Sequence, residues 1–361
     1  MITRGEMPLT RRACLLAWGA VAVSWELASP GRWPASLATC AAFLLLATGC
    51  ALHVRRGLRA ELRRSREIAG ATQRVLLRPL PGRIDGLALA AAQLSASRGA
   101  AVGGDLYEAV PTPYGVRVVI GDVRGHGLPA LGAAAAVLGS FREAAYDEPS
   151  LGGVLRRMER ALGRHVRDRA RSEHPASCPA EPQSPAAEEF VTVLLLQIAP
   201  GGSVVALNCG HPWPLRIRPA AEHAEPEPCG AFHPALCGGG DSRPPRHRAG
   251  TAQGPPRRAS VAPLAGGETL PPLGVVPLPH DLRPQDCGTL RPGETLVLHT
   301  DGAEDARDRQ GRFFPLGRVL AQAPALTPAR LVAGVHAALL RHTGGRLTDD
   351  VALLVLRNDR P

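Results

Sequence analysis

The chain has 361 residues, a formal net charge of +10 and no lysine, so all 42 of its basic residues are arginine. Because 40 glycines and 35 prolines accompany them and aromatic residues make up only 4% of the chain, we interpret the basicity as compositional bias and do not predict nucleic-acid binding. The eight cysteines contain no Cys-x-x-Cys pair and no disulfide-framework spacing, which predicts reduced thiols in a cytosolic domain.

Residues 1–54 contain two apolar runs that predict a membrane anchor. The first run, 13–28, is short, whereas the second, 35–54, has close to the roughly 20 residues that a spanning helix needs. Arginines lie outside both runs, which predicts a two-helix hairpin with both termini in the cytoplasm. The alternative is a signal peptide followed by a core helix, but no small-residue cleavage site is evident in this stretch.

Residues 55–82 are predicted to form a juxtamembrane linker helix that ends at a Pro-Leu-Pro-Gly turn. Apolar residues of this stretch fall near a heptad seam, but Ser65 and Thr72 interrupt it. A short coiled coil and a solvated linker helix are therefore both compatible with the pattern.

Residues 83–357 have the pattern of a globular domain. Strands are predicted at 86–93, 116–121, 190–198, 203–208, 294–299 and 351–356. One helix is predicted around 128–146, a second begins at Ser150, and a third runs from Thr327-Pro328 to Gly344-Gly345. Runs of strands with helices between them favour packed sheets that are covered by helices.

Two stretches, 171–188 and 219–268, are rich in Pro, Gly, Ala and charged residues and predict loops or disordered inserts. The longer one contains Cys229, His233, Cys237 and His247. Zinc binding there is disfavoured, because Cys-x₃-His-x₃-Cys is not one of the usual zinc-site spacings.

Acidic turns follow or precede several predicted strands and contain Asp105, Asp122, Asp301 and the pair Asp349-Asp350. Asp105 and Asp122 each follow glycine, which allows a sharp turn and the close approach of a ligand. Carboxylates that converge in one fold would repel one another unless cations lay between them, and Mg²⁺ and Mn²⁺ prefer oxygen ligands. The pattern indicates a two-metal site that activates water against a phosphoryl group, with solvated acidic turns as the alternative.

Five motifs in order resemble those of the PPM-type metal-dependent Ser/Thr protein phosphatases, and most closely their bacterial SpoIIE-like branch. The motifs are Val102–Glu108, Ile120–Gly127, Asn208–Leu215, His299–Asp308 and Asp349–Leu354. The resemblance covers about residues 70–357 without the inserts, and five motifs in the right order are far more specific than any one of them. It implies an α+β fold in which two antiparallel sheets and flanking helices form an α/β/β/α sandwich, here preceded by the membrane hairpin.

The resemblance also implies two Mn²⁺ or Mg²⁺ ions and the hydrolysis of phosphoserine or phosphothreonine. Carried onto this sequence, it makes Asp122 the catalytic ligand that bridges both metals, with the carbonyl of Val123 as a further ligand. Asp105 would bind one metal, and Asp301 and Asp349 the other. No predicted ligand is lost, although Glu108 and Arg124 depart from the usual motifs, and Arg124 could narrow the site or contact phosphate.

His126 and His211 lie in glycine-rich turns, where packing and hydrogen bonding are favoured over a role as general acids. The sequence as a whole predicts a membrane-anchored phosphatase whose catalytic domain is cytoplasmic and whose substrate is a phosphorylated regulatory protein. By analogy with the family, that protein would be an anti-sigma factor antagonist. The alternative is a non-catalytic membrane-tethered adaptor that binds a partner through a phosphatase-like fold.

Overall fold

The computed structural model describes most of the chain beyond residue 76 and one helix nearer the N-terminus. The described residues are 24, 41–42, 44–61, 76–94, 103–125, 127–173, 189–219, 259–264, 267–323 and 327–361. The first predicted membrane run, 13–28, lies outside them except for Ser24, and the cysteines and histidines of the longer insert lie outside them entirely. What the sequence predicts for those parts of the chain stays a prediction.

Helix α1 is described over 44–61 and includes the C-terminal part of the second predicted membrane run. Its apolar side chains are exposed, with Leu44 at 68% and Leu45 at 75%. In the part of the chain that the structure describes, no helix combines the length and the apolar composition required to cross a membrane. The predicted two-helix hairpin falls largely on residues outside the description and gains no support from it.

Two antiparallel sheets form the centre of the domain. The strands are β1 Arg83–Ile84, β2 Leu87–Leu94, β3 Leu106–Thr112, β4 Gly115–Val123, β5 Val191–Ile198, β6 Ser203–Cys209, β7 Leu215–Arg218, β8 Ser260–Pro263, β9 Gln285–Thr289, β10 Thr295–His299 and β11 Val351–Asn358. The six-stranded sheet has the order β1-β2-β11-β10-β7-β8, and the five-stranded sheet has the order β3-β4-β5-β6-β9.

Helices cover the outer face of each sheet. They are α2 Leu128–Asp147, α3 Leu151–Glu173, α4 Asp301–Asp305, α5 Leu316–Ala321 and α6 Pro328–Thr343. The predicted helix boundaries are confirmed by their caps: the Ser150 hydroxyl accepts a hydrogen bond from the backbone N–H of Gly153 at 3.0 Å, and Gly344 ends α6 in the left-handed conformation.

Three apolar clusters show the layers of the fold. One cluster packs α2 and α3 against the five-stranded sheet, a second fills the space between the two sheets, and a third packs α5 and α6 against the six-stranded sheet. In β4, alternate residues serve different layers, since Val118 and Ile120 face the other sheet and Val119 faces the helices. The α/β/β/α sandwich implied by the resemblance is therefore the fold of the domain.

Five strands, β1, β3, β7, β8 and β9, were not predicted from the sequence. The stretch 219–268 was predicted as a loop or disordered insert, which is wrong for Ser260–Pro263, because β8 pairs with β7 through four residue pairs and forms a sheet edge. The structure also shows β3, which the alternation of apolar residues does not predict. β3 is the edge strand of its sheet and contains Pro111, and an edge is where a strand tolerates a residue without a backbone donor.

A buried arginine joins the five-stranded sheet to the turn between α2 and α3. Arg117 on β4 is 0% exposed and points into the helix layer. Its guanidinium donates hydrogen bonds to the carbonyl oxygens of Ala145 at 2.9 Å, Glu148 at 2.6 Å and Pro149 at 2.8 Å, and to the side chain of Gln197 at 2.9 Å. The Ala145 carbonyl, in the last turn of α2, lacks a partner within its own helix, so this side chain satisfies a group that would otherwise be buried without one.

Candidate functional site

The acidic turns predicted from the sequence lie at one end of the sandwich. Asp105 immediately precedes β3 and Asp122 is near the end of β4, which pairs antiparallel with β3. Asp301 begins α4 directly after β10, and Asp349-Asp350 precede β11, which pairs antiparallel with β10. Each sheet therefore contributes one pair of acidic turns to the same end of the domain.

A buried threonine connects the two halves of this site. Thr300, which is 0% exposed, follows β10, and its hydroxyl oxygen accepts a hydrogen bond from the backbone N–H of Ala352 at 2.9 Å. The Thr300 side chain also acts on Asp105 of the other sheet, because it lowers the pKa of that carboxyl group against the larger effects that raise it. Thr300 thus lies where the acidic turn of one sheet meets β10 and β11 of the other.

Glycines line the space between the acidic turns because side chains would not fit there. A Cβ on Gly104 would clash with the carbonyl oxygen of Val123, and one on Gly103 would lie 2.5 Å from a carboxylate oxygen of Asp350. A Cβ on Gly302 would clash with the backbone carbonyl of Asp350. These close approaches explain why two of the acidic motifs contain glycine next to the acid.

The carboxyl groups raise one another's pKa, which shows that they are close enough to interact. Burial and then the charge of Asp122 and Asp350 raise the pKa of Asp105 well above its ordinary value. Burial and then the charges of Asp301, Asp349 and Asp350 raise the pKa of Asp122 to about 7. One carboxylate oxygen of Asp105 is buried and has no hydrogen-bond partner among the described residues. Such an arrangement is stabilised by positive charge.

The acidic turns offer the ligand atoms that a divalent cation prefers, but these atoms lie farther apart than the ligands of a preformed metal site. Carboxylates and a backbone carbonyl are the oxygen ligands that Mg²⁺ and Mn²⁺ prefer. Among the residues that the structure describes, no three histidine, cysteine, aspartate or glutamate side chains are close enough together to hold a metal ion. Coordination by Asp105, Asp122, Asp301 and Asp349 therefore requires these side chains to approach one another, and their roles as ligands stay predictions.

The structure draws attention to Asp350, which the sequence did not distinguish from its neighbour. Asp349 is exposed, and its carboxylate accepts the backbone N–H of Asp350 at 2.8 Å. Both charges act on Asp105 and Asp122, but Asp350 is half-buried and its carboxylate lies against Gly103 of the other acidic turn. The Asp-Asp doublet was the signal in the sequence, but only the fold separates the two positions.

His211 packs and forms hydrogen bonds, as the favoured interpretation predicts. Its backbone N–H donates to the Asn208 side chain at 2.8 Å, and its Nδ1 is 3.0 Å from the hydroxyl of Thr192. Burial and the nearby His299 lower the pKa of His211 to about 3, so the ring is neutral at neutral pH. His126, the other histidine of the glycine-rich turns, lies outside the described residues.

Thr192 holds the end of β4 and was not found from the sequence. Its hydroxyl accepts the backbone N–H of Asp122 at 3.3 Å and lies 3.4 Å from the carbonyl oxygen of the same residue. Together with His211, it orders the backbone that carries Asp122. No local pattern marks it, because the contact joins strands that are 70 residues apart in the chain.

Arg124 lies beside the site and contacts an aromatic ring. Its guanidinium carbon is 5.2 Å from the centre of the Phe190 ring, and its backbone N–H donates to the Phe190 carbonyl at 2.9 Å. The unusual arginine in this motif is thus held by a cation–π contact at the end of β4.

Comparison with known proteins adds a family match and a set of similar folds. The family described as stage II sporulation protein E (SpoIIE) matches residues 112–247 and 257–359, about two thirds of the chain. The SiaA PP2C domain of Pseudomonas aeruginosa is 16% identical with a TM-score of 0.52, and the match covers 84% of this chain and 98% of that one. No curated protein sequence matches the chain significantly.

Two further structures are similar at lower scores. The RsbU and RsbW domains of Rv1364c from Mycobacterium tuberculosis are 21% identical with a TM-score of 0.46; the match covers 76% of this chain but only 61% of that one. The catalytic domain of the serine/threonine protein phosphatase PstP, solved in complex with two manganese ions, is 15% identical with a TM-score of 0.41, and the match covers 75% of this chain and 97% of that one.

Proposed function

The chain belongs to the SpoIIE family, and on that premise we propose that it is a metal-dependent phosphatase that removes phosphate from serine or threonine of regulatory proteins. The observation that carries the proposal is the meeting of acidic turns from both sheets at one end of the sandwich, where the carboxyl groups raise one another's pKa. Retention of all the predicted acidic ligands favours catalysis over the alternative, a non-catalytic adaptor.

In the proposed site, the chain supplies oxygen ligands from fixed backbone positions. Asp122 would bridge two cations with help from the Val123 carbonyl, Asp105 would hold one cation, and Asp301 and Asp349 would hold the other. When bound, two such cations lower the pKa of a water molecule and stabilise the negative charge of a phosphoryl group. Because burial and the neighbouring carboxylates raise the pKa of Asp122 to about 7, this carboxyl group would release a proton if it bound a cation near neutral pH.

The test is manganese-dependent turnover of p-nitrophenyl phosphate and of a phosphoserine peptide by the purified full-length chain. We expect turnover with Mn²⁺ and none after chelation by EDTA, with recovery when the metal is added back. A chain that is folded by circular dichroism, binds Mn²⁺ and yet hydrolyses neither compound would contradict the proposal and favour the adaptor.

The proposed substrates are phosphorylated antagonists of anti-sigma factors, an assignment supported by the family and not by a contact in this chain. A comparison of phosphorylated proteins in wild-type and deletion strains identifies them, since the substrate should gain phosphate in the deletion strain.

We also propose that residues 1–54 anchor the domain in the cell membrane and leave it in the cytoplasm. Support comes from the two apolar runs with arginines outside both of them, and from the exposed leucines of α1, which need an apolar environment. A reporter fused after Val54 tests the topology: alkaline phosphatase, which requires export, should be inactive there and a cytoplasmic reporter should be active. Alkaline phosphatase activity at this position would overturn the placement.

A further inference from the structure

A group of exposed arginines lies on the outside of the six-stranded sheet next to the acidic site. We call it the basic rim, and it consists of Arg307, Arg309, Arg312, Arg341 and Arg346. The five arginines belong to two segments, 307–312 in the loop after α4 and 341–346 at the end of α6. The acidic residue of these segments is Asp308, which pairs with Arg312 at 2.7 Å and also accepts the backbone N–H of Gln310 at 2.9 Å. Even with the exposed Glu304 and Asp305 that precede the loop in α4, the five arginines outnumber the three acidic residues, so the rim carries an excess of positive charge.

The two segments that carry the rim pack against each other. The Nε2 of His342 at the end of α6 is 3.0 Å from the carbonyl oxygen of Arg312, and the His342 ring meets Phe314 edge-on at 5.4 Å. The Arg309 guanidinium lies over the left-handed turn at Gly344, 3.8 Å from where a Cβ would be. The loop after α4 and the end of α6 thus form one continuous surface.

The composition of this surface is typical of a protein interface. Phe313 is 54% exposed, and the guanidinium of Arg307 lies 4.1 Å from the centre of its ring. Aromatic residues are enriched at protein interfaces, and Phe313 is a large apolar side chain that this surface leaves exposed. Compensation of the α6 dipole accounts for Arg341, but Arg307 and Phe313 belong to a separate loop.

Both segments of the rim are connected along the chain to acidic turns of the candidate site. The loop follows α4, which begins with Asp301, and the end of α6 is joined by residues 344–348 to the Asp349-Asp350 turn. A phosphorylated residue held at the acidic turns would therefore place its flanking polypeptide near the rim.

We propose that the basic rim docks an acidic polypeptide segment that flanks the phosphorylated residue of the protein substrate. The proposal rests on the proposed phosphatase function and specifies the charge of its substrate. Opposite charges across an interface increase the rate of encounter and select between partners, and the effect falls as salt screens it.

The test uses two phosphoserine peptides of equal length, one with Asp and Glu around the phosphoserine and one with Ser and Gln. The full-length chain in Mn²⁺ should hydrolyse the acidic peptide with a kcat/KM about ten-fold higher at low salt, mainly through a lower KM, and the preference should shrink as NaCl is added. Arg309→Glu/Arg346→Glu should abolish this preference and leave turnover of p-nitrophenyl phosphate unchanged.

The matched control is Arg318→Glu/Arg330→Glu, which changes the net charge equally at exposed positions of α5 and α6 away from the rim. It should retain the preference. Three results would each overturn the proposal. They are equal rates for both peptides in the wild type, a preference that survives the rim substitutions, and a loss of preference in the control as large as that in the rim variant. If the wild type hydrolyses no phosphoester, the phosphatase function fails separately, and fluorescence anisotropy of the labelled acidic peptide then tests docking, with weaker binding expected for the rim variant alone.

Discussion

The substitution Asp122→Asn is expected to abolish metal-dependent turnover while leaving the fold intact. Asp122 is the predicted ligand of both cations, and an amide lacks the negative charge that holds them. Loss of several kcal/mol of charge stabilisation corresponds to about a thousand-fold decrease in kcat/KM. The measurement is hydrolysis of p-nitrophenyl phosphate in Mn²⁺, with binding of Mn²⁺ by calorimetry as a second readout. The control Asp281→Asn, at an exposed residue far along the chain, should behave as the wild type.

The same variant has an expected effect on stability that does not depend on activity. The pKa of Asp122 is about 7 in the folded chain, against an ordinary value of about 3.9 when unfolded. The folded state therefore binds the proton more tightly, so the stability of the chelated wild type should fall as pH rises from about 4 to 7. Asparagine removes this loss, and Asp122→Asn should melt higher than the wild type at pH 8 in EDTA. Near-wild-type turnover in Mn²⁺, or a lower melting temperature in EDTA, would contradict the assignment.

The substitution Arg117→Met is expected to cause the largest loss of stability. Methionine fills much of the volume but leaves the buried Ala145 carbonyl, the part-buried carbonyls of Glu148 and Pro149 and the Gln197 side chain without the donors they have in the wild type. Each buried group that loses its partner costs about 1–3 kcal/mol, so we expect a decrease of about 3–5 kcal/mol in the free energy of unfolding. For a domain of this size, that corresponds to a melting temperature lower by roughly 10 °C.

Two variants test whether the hydrogen bonds of Arg117 are the cause. Arg117→Lys keeps the positive charge, but its single ammonium group cannot reach all the acceptors that the guanidinium contacts. It should therefore recover only part of the lost stability. Arg160→Met removes an exposed arginine from α3 and should change the stability by less than about 0.5 kcal/mol. Urea unfolding measures all three, and equal stabilities of Arg117→Met and Arg160→Met would show that the buried contacts contribute little.

The central strands and the acidic turns could be predicted from the sequence because both have local signals. The strands β4, β5, β10 and β11 are buried on both faces and appear as continuous apolar runs. The strand β3 has no such run, because an edge strand accommodates Glu108 and Pro111. The strand β8 has no such run either, because it is short and follows a stretch rich in Pro and Gly.

The contacts that organise the site could not be predicted in the same way. Thr300, Thr192 and Arg117 act through hydrogen bonds to residues that are tens of positions away in the chain. Their neighbours in sequence give no sign of these partners, since the partners are set by how the sheets and helices pack. The distinction between Asp349 and Asp350 has the same origin, because it depends on which of the two side chains faces the other sheet.

The position of Thr300 beside Asp105 has a consequence for how the protein folds. It joins the first acidic turn of the domain to elements formed by its last 60 or so residues, so neither sheet alone contains a complete set of acidic groups. Contacts between such distant parts of a chain form slowly, and loop closure makes them late events in folding. A chain that emerges from the ribosome would hold Asp105 and Asp122 long before it holds β11. The proposed cation site would then be completed only after β11 has been made, and shorter nascent chains would lack it.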